Sequence, residues 1–173
     1  MTTQQPAAPR PPSIGPKEVA NGGVINGKSL AKFESDGANI VANVYSDPTA
    51  GKTFNLVIWC LEPGQENSTQ WHETISHIFI INEGEGVYMK GKPFEAEKEW
   101  PKDAPPTTSF KPELIPVKVG DIIAIPHHTV HGIRNTGKTN LSYIAVSVGE
   151  NYSRIDVGPQ VPAHRRPNAP AAH

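Results

Sequence analysis

The sequence predicts an all-β domain, an antiparallel barrel or sandwich. Three observations carry that expectation. Short runs rich in branched and aromatic residues recur along the middle of the chain, among them "FNLVIWCL" (54–61), "HIFIIN" (77–82), "DIIAIP" (121–126) and "LSYIAVSV" (141–148). Gly, Pro and Asn turn signals separate these runs. No stretch keeps a convincing helical period.

Taken in order, residues 1–16 (MTTQQPAAPRPPSIGP) and 157–173 (VGPQVPAHRRPNAPAAH) are dominated by Pro, Ala and polar residues. Such stretches bury too little apolar surface to offset the entropy of ordering. They read as an extended N-terminal arm and a flexible tail around one domain, 17–156, of ordinary single-core size. Residues 54–61 are apolar at almost every position, as in a strand covered on both faces, and end at the turn dipeptide Pro63-Gly64. That two-sided apolarity, together with the Pro-rich arm, leads to the expectation of a homodimer. The run 77–82 follows, then Glu83-Gly84-Glu85-Gly86 as a hairpin turn and "VYMKG" (87–91) as its return strand. Segment 92–116 carries Pro101, Pro105, Pro106 and Pro112, which disfavour a regular strand, so it reads as a long loop serving as lid, binding loop or interface. Strands at 121–126, 130–135 and 141–148 complete the domain, with a turn at 135–140.

Composition excludes several classes. Net charge is −1 and no basic stripe is present, which argues against nucleic acid. No apolar run is long enough to span a membrane, and the expected location is the cytoplasm. Cys60 is the only cysteine, so an internal disulfide and a multi-cysteine metal site are both excluded. A bound metal would be held by nitrogen and oxygen.

The histidines make that possibility concrete. Gln70 and His72 stand two apart and share a strand face, and a turn can bring His77 alongside them. His131 opens the segment "VHGIRN". Three imidazoles converging from different strands suit zinc, iron, nickel or copper and leave coordination positions open, the pattern of a catalytic centre.

Two motifs now fall into place. Gly64, Gln70, His72, His77 and Gly84 follow the spacing G(X)5HXH(X)3–4E(X)6G, and Gly120, Pro126, His128, His131 and Asn135 follow G(X)5PXG(X)2H(X)3N. The sequence from 64–84 and 120–135 therefore resembles the cupin superfamily, and the resemblance implies a double-stranded β-helix, or jelly-roll, barrel. It departs from the pattern at three places. Gln70 replaces the first histidine, His77 replaces the glutamate, and His128 replaces a glycine. What the resemblance implies is one divalent transition metal on His72, His77 and His131 with Gln70 as a fourth position. Iron(II) comes first, with zinc, nickel or manganese as alternatives. Without a glutamate ligand the ion would keep its full charge and no metal-binding carboxylate would remain to act as a base.

Around these residues, alternation aims Phe79, Ile133 and Asn135 inward as a substrate-pocket wall, with Ile81 in the core and Arg134 pointing away. His128 reads either as a turn residue or as an acid–base group beside the metal. Trp71 is expected outside the barrel, while Trp59 and Tyr143 are open to either face. The leading functional expectation is a metal-dependent dioxygenase acting on a small enolisable or phenolic molecule. The alternatives are a redox-neutral cyclase, lyase or isomerase, and a non-catalytic binding module or accessory subunit.

Overall fold

The computed structural model describes residues 24, 26–33, 35, 39–47, 52–93, 112–151 and 154–156. A four-residue helix, α1 (Gly27–Leu30), precedes ten strands. These are β1 (Asn39–Asp47), β2 (Lys52–Leu61), β3 (Glu66–Trp71), β4 (Ile75–Glu83), β5 (Glu85–Pro93), β6 (Glu113–Lys118), β7 (Ile122–Ile125), β8 (Thr129–Arg134), β9 (Leu141–Glu150) and β10 (Ile155–Asp156). They form two five-stranded sheets in the orders β1-β2-β9-β4-β7 and β10-β3-β8-β5-β6, with every pairing antiparallel. The all-β expectation holds. The proposed arm at 1–16 and tail at 157–173 lie outside the described residues.

Two expectations are corrected. The segment 83–86 is not a hairpin, because β4 pairs with β7 and β9 while β5 pairs with β6 and β8 in the other sheet. The chain crosses between sheets at Gly84, whose φ is +75° and whose place leaves no room for a Cβ against the Asn140 carbonyl. Only glycine meets both demands without strain. The loop expected over 92–116 is also shorter than its prolines suggested. β5 runs on to Pro93, and β6 includes Pro116. β6 is the outermost strand of its sheet, where a missing N–H costs no ladder bond. Residues 94–111 lie outside the described residues.

The core fills the space between the sheets. Val57, Leu61, Phe79, Ile81, Ile123, Ile125, Ile133, Leu141 and Tyr143 make one buried cluster. Trp59 and Tyr143 both turn inward, with rings nearly parallel at 6.2 Å. Outside the first sheet, Ile58 and Cys60 are covered by Leu30, Ala31 and Phe33 near α1, which explains why β2 is apolar on both faces. The rest of that outer surface keeps Phe54, Ile78, Ile122 and Val148 exposed.

Candidate metal centre

Strand register brings the polar residues of the interior to one level. In the first sheet Asn55, Ser147, His77 and Ile125 lie directly opposite one another across β2, β9, β4 and β7. In the second sheet Gln70 and His131 are opposite across β3 and β8, with the exposed Lys90 opposite His131 on β5. His72 follows β3 directly. His72 and His77 therefore do not sit on adjacent strands of one sheet. They reach the interior from opposite sheets.

The result is a three-imidazole cluster. One ligand-type nitrogen from each of His72, His77 and His131 lies within 4.8 Å of the others. Two nitrogens each about 2.1 Å from one ion are at most about 4.2 Å apart, so the cluster is close to the size of a coordination sphere. Ring centroids are separated by 4.7 Å (72–77), 4.9 Å (77–131) and 5.4 Å (72–131). His72 and His131 are 1% exposed and His77 is 7% exposed. Among the described residues this is the group of His, Cys, Asp or Glu side chains with metal-ligand spacing.

Neighbouring groups orient two of the rings. His131 Nδ1 lies 2.8 Å from the Thr129 carbonyl oxygen. A carbonyl only accepts, so Nδ1 carries the proton and Nε2 presents its lone pair. His77 Nδ1 lies 2.9 Å from Ser147 Oγ. The Nε2 atoms of both rings are buried with no hydrogen-bond partner. Burial, helped by the other imidazoles, lowers the His77 pKa to about 2. Burial likewise lowers that of His131 to about 3, against the raising effect of the Thr129 carbonyl. Both rings are thus neutral at ordinary pH, the form a metal requires. A buried nitrogen lone pair without a donor is costly, and a shared cation satisfies all such atoms at once. The site fits a metal.

Other predicted residues are placed as follows. Gln70 is buried beside His131, and its Oε1 has no partner. Phe79 packs its ring 5.6 Å from His77 and 5.8 Å from His131, forming the apolar floor with Tyr143 beneath. Ile133 is fully buried in the core cluster, two residues along β8 from His131. Asn135 is corrected from pocket wall to turn anchor. Its Nδ2 donates to the Leu61 and Thr139 carbonyls and its Oδ1 accepts from Gly137 N–H, which leaves little capacity for a ligand. Its backbone also ties the two motifs, accepting from Gly64 N–H and donating to the Gln65 carbonyl.

His128 is not brought to the cluster. Its ring contacts Trp71 and His127, and its backbone N–H donates to the His72 carbonyl at 2.8 Å. Its φ of +62° is the left-handed conformation that favours glycine. The position therefore serves to hold His72 through the backbone. Trp71 is half-buried on the side away from the cluster, and Arg134 is exposed with a 2.6 Å contact to Glu66, both as expected.

Two residues escaped the sequence reading. Ser147 and Asn55 are buried polar residues in strands whose other inward residues are mostly apolar, and that contrast was the available signal. A groove of about 560 Å³ between β5, β6 and β7 reaches Lys90 and Thr129, but none of the three histidines lines it. Cys60 is buried with its thiol pKa raised, chiefly by desolvation, and lies with α1 outside the core.

Compared with known proteins, the cupin family model matches residues 23–164. No curated protein matches the sequence. Among solved structures, an uncharacterized conserved protein with a double-stranded beta-helix domain from Klebsiella pneumoniae subsp. pneumoniae MGH 78578 superposes with a TM-score of 0.59 at 18% identity, covering 79% of this chain and 97% of that one. A protein from Thermus thermophilus gives 0.55 at 17% identity, covering 73% and 96%. An oxalate oxidase gives 0.50 at 21% identity, covering 72% and 57%. At these identities the likeness is one of fold.

Proposed function

The chain belongs to the cupin family, and on that premise we propose that it is a metal-dependent enzyme, a dioxygenase acting on a small enolisable or phenolic molecule. The observation that carries this reading is the buried cluster of His72, His77 and His131, in which the last two rings are neutral and turn their Nε2 atoms inward. These three residues would hold the ion, with the Gln70 amide oxygen as the fourth position. Iron(II) held there supplies redox chemistry toward oxygen, whereas zinc, nickel or manganese supplies Lewis acidity.

The protein's own groups set the rest. Imidazole and amide donors cancel none of a divalent charge, so the site favours anionic oxygen and stabilises a substrate as enolate or phenolate. No carboxylate belongs to the cluster, so a substrate that loses its proton easily suits it. Phe79 and Tyr143 close the floor with rings and keep water from the inner side. Ser147 and the Thr129 carbonyl hold two imidazoles in one orientation, and the carbonyl also selects the His131 tautomer.

The same undiminished charge serves a redox-neutral cyclase, lyase or isomerase. Elemental analysis followed by oxygen uptake with diketones and phenols separates the readings. The dioxygenase reading predicts oxygen consumption in step with substrate loss for the iron-loaded protein and none for the zinc-loaded one. Turnover without oxygen uptake supports the Lewis-acid reading, and no metal after supplementation supports a binding module. A homodimer remains part of the proposal, supported by the exposed Phe54, Ile78, Ile122 and Val148 on the first sheet. A monomeric mass by light scattering counts against it.

A further inference from the structure

Two imidazoles of the cluster are steered by different kinds of neighbour. The Thr129 carbonyl can only accept, so it settles which nitrogen of His131 carries the proton. Ser147 Oγ, 2.9 Å from His77 Nδ1, can donate or accept, so by itself it leaves the His77 tautomer open. Among the described residues that Oγ makes no other hydrogen bond. Holding a metal through Nε2 puts the proton on Nδ1 and turns Ser147 into the acceptor. The hydroxyl's own proton then needs an acceptor, because Ser147 is buried.

Asn55 stands where that acceptor is needed. The β2–β9 register sets Asn55 directly opposite Ser147, and the β4–β9 register sets Ser147 directly opposite His77. Directly opposed residues share one face of a sheet with Cβ atoms about 4.5–5.5 Å apart, within reach of a serine hydroxyl and an asparagine amide. Asn55 is 8% exposed, and its Oδ1 is buried with no hydrogen-bond partner. An amide oxygen carries no proton, so it can only accept. A turn of the amide toward Ser147 satisfies the orphaned oxygen and the leftover proton together, and leaving either unmade is costly. β2 otherwise faces the interior with Val57, Trp59 and Leu61, so an asparagine in that row has a polar task.

We propose that Asn55 is a positioning residue for the metal centre: its Oδ1 takes the Ser147 hydroxyl proton and so commits Ser147 to accept from His77 Nδ1–H. The Nε2 lone pair of His77 is then left for the ion. Asn55 does for His77, through one hydroxyl, what the Thr129 carbonyl does for His131 directly. All three members of the relay lie on adjacent strands of the first sheet. The inference rests on the metal reading above, because a fixed tautomer matters to function only when Nε2 has an ion to hold.

The test reads the tautomer itself, from proton–nitrogen correlation spectra of the metal-free, full-length chain carrying isotope-labelled histidine at neutral pH. Cobalt(II) affinity of the same proteins is the second measurement. Wild type is expected to hold His77 in the Nδ1–H form. Asn55→Leu, similar in size, should give a mixture of the two tautomers and weaken cobalt binding about tenfold. Asn55→Asp keeps an oxygen acceptor and should restore both the single tautomer and the affinity. In a Ser147→Ala background Asn55→Leu should have no further effect on cobalt affinity, because the relay is already cut. Wild-type His77 in the Nε2–H form overturns the inference without recourse to any variant. So does an Asn55→Leu protein with wild-type tautomer and affinity, or one whose loss is as large without the Ser147 hydroxyl as with it. Failure of wild type to bind cobalt overturns the metal reading instead, and removes the task assigned to Asn55 whichever tautomer the spectra show.

Discussion

Ser147 Oγ sits 2.9 Å from His77 Nδ1, and the two residues are direct opposites in the β4–β9 register. The hydroxyl can accept from Nδ1–H when Nε2 holds a metal, so Ser147 fixes the tilt of the ring. Ser147→Ala removes that contact and little volume. The expected result is a drop of tenfold or more in metal affinity, as for other hydrogen-bond partners of metal-binding histidines. Competition with a chelator measures it, and Ser147→Thr should restore most of the loss.

The depressed pKa values of His77 and His131 make the metal-free protein acid-sensitive. Both groups titrate near 6.5 when unfolded and near 2 and 3 when folded, so the unfolded chain binds more protons between these limits. Stability therefore rises with pH through this window, is complete above about 6.5, and is lost as pH falls. Two such groups give a steeper slope in the middle of the window than either gives alone. Denaturant titrations of the metal-free chain at pH 7, 6, 5 and 4 check it. A double replacement, His77→Gln with His131→Gln, should flatten the curve.

His128→Gly separates a backbone role from a chemical one. The left-handed φ of residue 128 costs a non-glycine side chain about 1 kcal/mol or more, so the variant should match or exceed wild type in thermal stability. Metal affinity should not change, because the bond from residue 128 N–H to the His72 carbonyl survives. A large fall in turnover with unchanged metal content would restore the acid–base role expected from the sequence.

His77→Glu tests the charge argument. A carboxylate at this position cancels one unit of the ion's charge and gives the site a base it lacks. We expect tighter binding of hard divalent ions such as manganese, and weaker binding of anions to the loaded site by tenfold or more. Unchanged metal preference and anion affinity would count against the argument. The two effects are read from one set of calorimetric titrations.

How far the site was legible follows from what each signal contains. Motif spacing located His72, His77 and His131, because ligand spacing along a strand is a property of the chain itself. Sheet partnership was not legible at 83–86. Apolar alternation marks a strand and its inner face, but it does not name the strand beside it. A strand at Gln70 and His72 was read, but the extent of β3 back to Glu66 was not, because its inward residues Asn67 and Gln70 are polar and its sequence lacks a core pattern. Asn67 instead donates to the Tyr143 hydroxyl at 3.0 Å, a contact between residues 76 apart that no local pattern announces. Asn135 is buried, but its amide is taken up by the Leu61 carbonyl at the end of β2 and by Thr139 and Gly137, partners that no local pattern announces.

The central claim is that imidazoles from both sheets share one cation. Titrating the metal-free, full-length chain with cobalt(II), and following the ligand-field absorption of the ion, tests it most directly. The account predicts saturation at one equivalent per chain, and loss of that endpoint on replacing any one of His72, His77 or His131 by alanine. Absence of saturable binding in wild type, or an unchanged endpoint in all three variants, would contradict it.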